Sequence, residues 1–248
     1  MNNNEIWDVT WEKIEVDGPR PFLEYKMSLL KPFLETDSPK HVLDVGCGDG
    51  FFTLKLLNLG YKVDATDVSP EAIKATERRI KRNNAPNINL YNENLLELNP
   101  PHKYDVIICL EVLEHIEDDL RVLKLFNSWL KKEGLLILSV PHRQDMWNYT
   151  DEIGGHYRRY SKEDLKNKLE SAEFKVEDVF DYGFPIIRFF ANRLCAPAEK
   201  MQKSKINPPK NNFLSRTAST IIQNACKIDT LFINKDHGID IIAVSKKI

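Results

Sequence analysis

From residue 41 the apolar positions alternate between two rhythms. Short β-rich runs are separated by segments whose apolar residues fall at helical spacing, the signature of βαβ units and a largely parallel sheet. His41 to Val45 reads as a first strand and Lys62 to Thr66 as a second, with Phe51 to Leu59 as the helix between them. The next helix has a clear start: Ser69 stands as N-cap, Pro70 takes a first-turn position where its missing N–H costs nothing, and Glu71 lies near the positive helix end. Ile88 to Asn92 gives a weaker third strand. Tyr104 to Leu110 gives a fourth whose Val106-Ile107-Ile108 suits burial on both faces. Leu135 to Val140 is the fifth strand, Ser161 caps a helix running to about Ser171, Phe174 to Tyr182 is the sixth strand and Ile239 to Val244 the seventh.

Two stretches lie outside the alternation. Residues 1–36 carry Trp7, Trp11, Phe22, Tyr25 and Phe33 and read as an N-terminal helical cap over a core spanning 37–182. Residues 183–236 form an insert with nine basic residues against three acidic ones, before a final core strand in 237–248. The insert mixes that charge with Phe184-Pro185-Ile186-Ile187-Arg188-Phe189-Phe190. It reads as a helical cap or lid, with contact to an anionic membrane surface as the alternative.

At 248 residues with 42% hydrophobic and 29% charged positions, the chain suits one main globular domain. A formal net charge of −2 gives no reason to expect nucleic acid as a partner. The start lacks the basic and apolar blocks of a signal peptide, no apolar run approaches a membrane span, and the four cysteines are scattered. Together these suggest a cytoplasmic protein.

The stretch Asp44-Val45-Gly46-Cys47-Gly48-Asp49-Gly50 runs a strand straight into a glycine-rich turn and then a helix. Such a turn suits close approach of a ligand to the backbone. Asp67, ending the second strand, lies at the separation expected of a carboxylate that accepts both ribose hydroxyls. A dinucleotide loop would follow G-x-G-x-x-G, whereas Phe51 holds the third glycine position and the glycine comes one residue earlier. NAD is therefore disfavoured.

Over most of residues 40–182 these features resemble the class I S-adenosylmethionine-dependent methyltransferases. The resemblance implies an α/β, Rossmann-like fold with a seven-stranded, mostly parallel sheet whose last strand is antiparallel, and S-adenosyl-L-methionine as cofactor. It implies that Asp44, Gly46, Cys47, Gly48 and Gly50 hold the methionine part and that Asp67, followed by Val68, holds the ribose. It places Asn94 and Leu95 near the adenine, and Leu110 at the end of the fourth strand beside the site. In the extension, Arg20 and Tyr25 are similar to positions that touch the cofactor carboxylate in some relatives.

After the fourth strand comes Glu111-Val112-Leu113-Glu114-His115. If helical geometry begins at Glu111, its carboxylate, that of Glu114 and the His115 imidazole share a face. The pattern resembles the E-x-x-E-H of ubiquinone-type O-methyltransferases and of small-RNA 2′-O-methyltransferases, both of which carry a later histidine matched here by His156. The resemblance implies a divalent metal (Mg, Mn, Zn or Fe) on Glu111, Glu114, His115 and His156. Without a metal, His115 or His156 is a candidate general base, with Glu114 beside them. His142, Tyr157, Arg158, Arg159 and Tyr160 are candidate acceptor contacts, the arginines suiting an anionic group and the tyrosines either lining the pocket or packing beneath it.

The expected function is O-methylation of a small, anionic or amphipathic acceptor. RNA 2′-O-methylation and a non-catalytic, cofactor-binding regulatory protein are the alternatives. The oligomeric state is not legible in the sequence.

Overall fold

A computed structural model describes residues 20–35, 40–195 and 213–248. The tryptophans at 7 and 11, and Lys200, Lys203, Lys205 and Lys210 of the insert, lie outside the described residues. Seven strands form one sheet: β1 (His41–Val45), β2 (Lys62–Thr66), β3 (Asn89–Tyr91), β4 (Tyr104–Leu110), β5 (Leu130–Pro141), β6 (Phe174–Tyr182) and β7 (Asp240–Lys247). Their order is β3-β2-β1-β4-β5-β7-β6. The pairings among β1 to β5 are parallel, whereas β7 runs antiparallel to both β5 and β6, as the family resemblance implies.

Both faces of the sheet are covered, so the central strands carry apolar residues on either side. Leu43, Ile107, Cys109 and Leu138 pack on one face with Val122 and Phe126 of α4 (Asp119–Trp129) and with Leu165 and Leu169 of α6 (Lys162–Ser171). Val42, Val106, Ile108 and Ile137 point the other way, against Tyr25, Leu30 and Leu34 of α1 (Pro21–Leu34) and Leu56 of α2 (Phe51–Asn58). The described part of the N-terminal extension is thus a helix with a buried stripe. The described part of the insert is also helical, comprising α7 (Ile186–Cys195), α8 (Phe213–Cys226) and a 3₁₀ stretch Lys227–Phe232. Ile187 and Cys226 join the core beneath α1. Phe189, Ile221 and Leu231 remain exposed. Among the described residues no helix is long and apolar enough to cross a membrane.

The capping signals hold. Ser69 accepts from the Ala72 N–H at the start of α3 (Pro70–Arg82), and Ser161 accepts from the Asp164 N–H at the start of α6. Asn148 and Asp151 form a reciprocal capping box at α5 (Tyr149–Gly154). The fifth strand differs from expectation. It begins at Leu130 and shifts register between its pairings with Tyr104 and Val106, with Glu133 at a φ of 59°. Charged Lys131, Lys132 and Glu133 project into solvent there, which hides the strand from a reading of apolar runs.

Candidate active site

The strand order reverses between β1 and β4, and at such a switch point an open α/β sheet leaves a crevice at the carboxyl ends of its strands. A cleft of about 450 Å³ lies there. Gly46, Asp67, Val68, Asn94 and Leu95 line one side of it, and Glu111, His115, Ile116 and Tyr157 the other.

The glycine turn is fixed by its neighbours. Gly46 has a φ of +68°, and a Cβ there would stand 2.2 Å from Val112 Cγ2. Gly50, at +75°, caps α2 and would meet Thr76 at 2.9 Å. Asp67 ties the turn to the second strand: its Oδ2 accepts from the Gly48 N–H and its Oδ1 from the Ser69 N–H, each at 2.9 Å. The carboxylate is therefore oriented while still lining the cleft.

Asp44, Cys47, Gly48, Gly50 and Leu110 stand behind the lining rather than in it. Asp44 accepts from the Thr53 hydroxyl at 2.5 Å, and burial pushes its carboxyl up to about 6. The Cys47 thiol is buried against the Thr76 hydroxyl. Asn94 turns its side-chain oxygen back onto the Leu96 N–H at 2.9 Å, and the neighbouring Glu93, not singled out from the sequence, also lines the cleft. Arg20 pairs with Asp49 at 2.9 Å, and Arg79 holds the same carboxylate at 2.7 Å.

Beyond β4 the expected single helical face does not form. Glu111 has a φ of +56°, and a 3₁₀ turn begins only at Leu113. Glu111 is turned toward Lys26 of α1, 2.7 Å from its Nζ, and accepts from the Ser139 hydroxyl at 2.5 Å. Burial raises its pKa, but the lysine overrides this and leaves it below the ordinary carboxylate value. Lys26, Ser139 and Tyr182, whose hydroxyl donates to Asp240 at 3.1 Å, escaped sequence reasoning because they come from distant segments.

Glu114, His115 and His156 do converge, with one ligating atom from each lying within 4.8 Å of the others. Both Glu114 oxygens are buried without a hydrogen-bond partner, and burial, with Glu111 adding repulsion, raises this carboxyl well above its usual value. The two imidazoles meet edge to face at 4.6 Å. Burial, reinforced by His156, lowers His115 to about 4. Burial also lowers His156, against the pull of Asp151, so both rings are neutral near pH 7. Asp151 stands 2.9 Å from His156 Nδ1, which directs Nε2 toward the cluster. Gly154 keeps the space open, since a Cβ there would come 3.1 Å from that Nε2.

The candidate acceptor contacts divide. Tyr157 is exposed at the cleft, and its backbone N–H donates to the Glu114 carbonyl at 2.8 Å. Tyr160 does not line the cleft: it is fully buried and donates its hydroxyl to Asp119 at 2.9 Å, the packing alternative. Arg158 pairs with Asp119 at 2.9 Å and donates to the Ile116 and Glu117 carbonyls. Arg159 holds both Asp151 oxygens at 2.9 Å. Both guanidinium groups are thus engaged by the protein itself. His142 is buried with Nδ1 on the Tyr160 carbonyl at 2.9 Å.

A methyltransferase domain model matches residues 20–179. The ubiquinone biosynthesis O-methyltransferase of Xanthomonas campestris pv. campestris (strain B100) is 29% identical over 152 residues, covering 56% of this chain and 64% of that protein. The chain thus spans somewhat under two thirds of the length of that relative. Among solved structures, the N-methyltransferase NodS from Bradyrhizobium japonicum WM9 with bound S-adenosyl-L-homocysteine superposes with a TM-score of 0.62 at 16% identity, covering 100% of this chain and 99% of that one. The [4+2]-cyclase SpnF gives 0.63 at 17% identity, covering 90% and 80%. At these identities the superpositions speak for the fold alone. The domain match spans well over half of the chain, which belongs to the class I S-adenosylmethionine-dependent methyltransferases.

Proposed function

We propose that the protein transfers a methyl group from S-adenosylmethionine to a hydroxyl of a small, amphipathic acceptor. The observation that carries this reading is the partly buried Glu114–His115–His156 cluster beside the cleft, which His115 lines. Methyl transfer to oxygen needs the acceptor hydroxyl held in line with the sulfonium and relieved of its proton. Placed across from the Gly46–Gly50 turn, the cluster is suited to that task.

Several features of the cluster fit a divalent cation. It supplies an orphaned buried carboxylate, two neutral imidazoles, and an acid behind one of them. Glu114, His115 and His156 would hold the ion, which would lower the pKa of the acceptor hydroxyl and orient it. Two nitrogens among three ligands suit Mn²⁺, Fe²⁺ or Zn²⁺ better than Mg²⁺. Glu111 stands apart, because its Oε1 is taken by Lys26 and Ser139. The chain's own residues would divide the work: Asp67, oriented by the Gly48 and Ser69 N–H groups, would accept the ribose hydroxyls, Asp151 would fix the His156 tautomer, and the Lys26–Glu111 pair ties α1 to the end of β4.

Val112, Ile116 and the Tyr157 ring, which line the cleft beside His115, favour an acceptor with an apolar portion. The name of the Xanthomonas relative points the same way, since it belongs to ubiquinone biosynthesis. The test is incubation of a panel of hydroxylated aromatics with S-adenosylmethionine, read by mass spectrometry. A gain of one methyl on oxygen, lost on exhaustive chelation and in His156→Ala, supports the proposal. Methylation confined to nitrogen acceptors, or unchanged by chelation, contradicts the respective part.

A further inference from the structure

At the opposite end of the sheet, where the strands begin, a second group of ligating side chains serves no part of the methyl-transfer site. Asp64, in the middle of β2, is almost wholly buried, and its Oδ1 accepts from Asn89 at 3.0 Å. Its Oδ2 faces three groups: the Tyr104 hydroxyl donates to it at 3.0 Å, His102 Nε2 lies at 3.0 Å and His41 Nε2 at 3.1 Å. The two imidazoles lie nearly parallel, with ring centroids 4.2 Å apart, and each packs edge-on against Tyr104. The sequence alone suggests that His41 and His102 are ordinary surface residues, and the structure instead turns both rings onto one buried carboxylate. Although close to Asp64, His41 Nε2 is buried and makes no hydrogen bond, because its approach is poorly aligned. An unpartnered buried ring nitrogen of this kind is destabilising, and a ligand accepting its lone pair would relieve that.

We propose that His41, Asp64 and His102 form a binding site for Zn²⁺, separate from the methyl-transfer site and completed by water. One ligating atom from each residue lies within 4.8 Å of the others, and two imidazole nitrogens with one carboxylate oxygen make a donor set that zinc favours. Zinc bonds of about 2.0–2.2 Å place tetrahedral ligand atoms roughly 3.3 Å apart, a few tenths beyond the distances from Asp64 to either ring. The stacked rings must splay so that both Nε2 lone pairs point at one ion. His102 is the ring that moves, since its side chain is 33% exposed on the loop leading into β4, whereas that of His41 is 12% exposed. The ion ties the first residue of β1, the middle of β2 and the approach to β4 into one clamp at the opening edge of the sheet. It therefore acts on stability rather than on methyl transfer.

The test titrates Zn²⁺, against a competing chromophoric chelator, into the full chain carrying His115→Ala and His156→Ala, so that the other cluster contributes nothing. One zinc per chain is expected to remain, with a higher melting temperature in its presence. Adding His102→Ala is expected to weaken that zinc at least tenfold and abolish the thermal shift. X-ray absorption at the zinc edge of the one-zinc protein gives an answer independent of whether the His102→Ala protein folds, and should show two imidazole ligands. Absence of stoichiometric zinc in the doubly substituted chain, an affinity indifferent to His102→Ala, or an all-oxygen coordination shell would each overturn the proposal.

Discussion

Substitution of Gly46 by alanine probes the turn on which cofactor binding depends. Two costs add. The residue sits at a φ of +68°, where a Cβ costs roughly 1–2 kcal/mol. That Cβ would also stand 2.2 Å from Val112 Cγ2, an overlap that core overpacking data put at about 1–3 kcal/mol. The expected loss is about 2–5 kcal/mol by urea denaturation, together with weaker S-adenosylmethionine binding by calorimetry, since Gly46 lines the cleft. Val112→Ala removes both Cγ atoms and leaves only Val112 Cβ, 3.5 Å from the new methyl, an ordinary contact. The double variant should therefore recover the steric part and keep the backbone part. A coupling of about 1–3 kcal/mol between the two substitutions is expected. If the single effects add to within about 0.5 kcal/mol, Val112 does not close over Gly46 and the reasoning is wrong.

Other outcomes follow from the same geometry. Asp151→Asn should weaken any divalent ion on the Glu114 cluster by roughly 10–100-fold, because His156 loses the charged acceptor that orients it and raises its basicity; direct metal titration reads this. Lys26→Met removes the buried partner of Glu111, whose own side chain is 36% exposed and keeps part of its hydration, so the substitution should cost about 1–3 kcal/mol, with much of the loss recovered by adding Glu111→Gln, as measured by denaturant midpoints. Asp181 accepts from the Asp236, His237 and Gly238 N–H groups and from Lys162. Burial raises its pKa, yet those donors win and leave it below the ordinary 3.8, so the stability it adds is present above that value and fades as pH falls through the lower folded one. Asp181→Asn should cost about 1.5–3 kcal/mol at pH 7, and the two urea midpoints should converge in strong acid.

What the sequence made legible is what repeats locally. β1, β2, β4 and β6 have the limits their apolar runs suggest, and Ser69 and Ser161 cap the helices they precede. The Gly46–Gly50 turn and Asp67 face each other because strand, turn and acid are set by a short βαβ unit. Features decided by distant segments were not legible. Lys26 is 85 residues from Glu111 and Tyr160 is 41 from Asp119, and no local pattern announces either contact. The positive φ of Glu111 broke the helical register that would have aligned it with Glu114 and His115. Asp151 left a faint trace, as the fourth residue of the Asn148 capping box, but its role behind His156 needed coordinates.

The claim on which the rest depends is that the Gly46–Gly50 turn and Asp67 cradle the adenosyl group. A crystal structure with S-adenosylhomocysteine decides it: both ribose hydroxyls should lie within hydrogen-bond distance of the Asp67 carboxylate, with the sulfur facing the Glu114–His156 cluster. A ligand seated elsewhere, or one whose ribose avoids Asp67, would contradict the site and the activity built upon it.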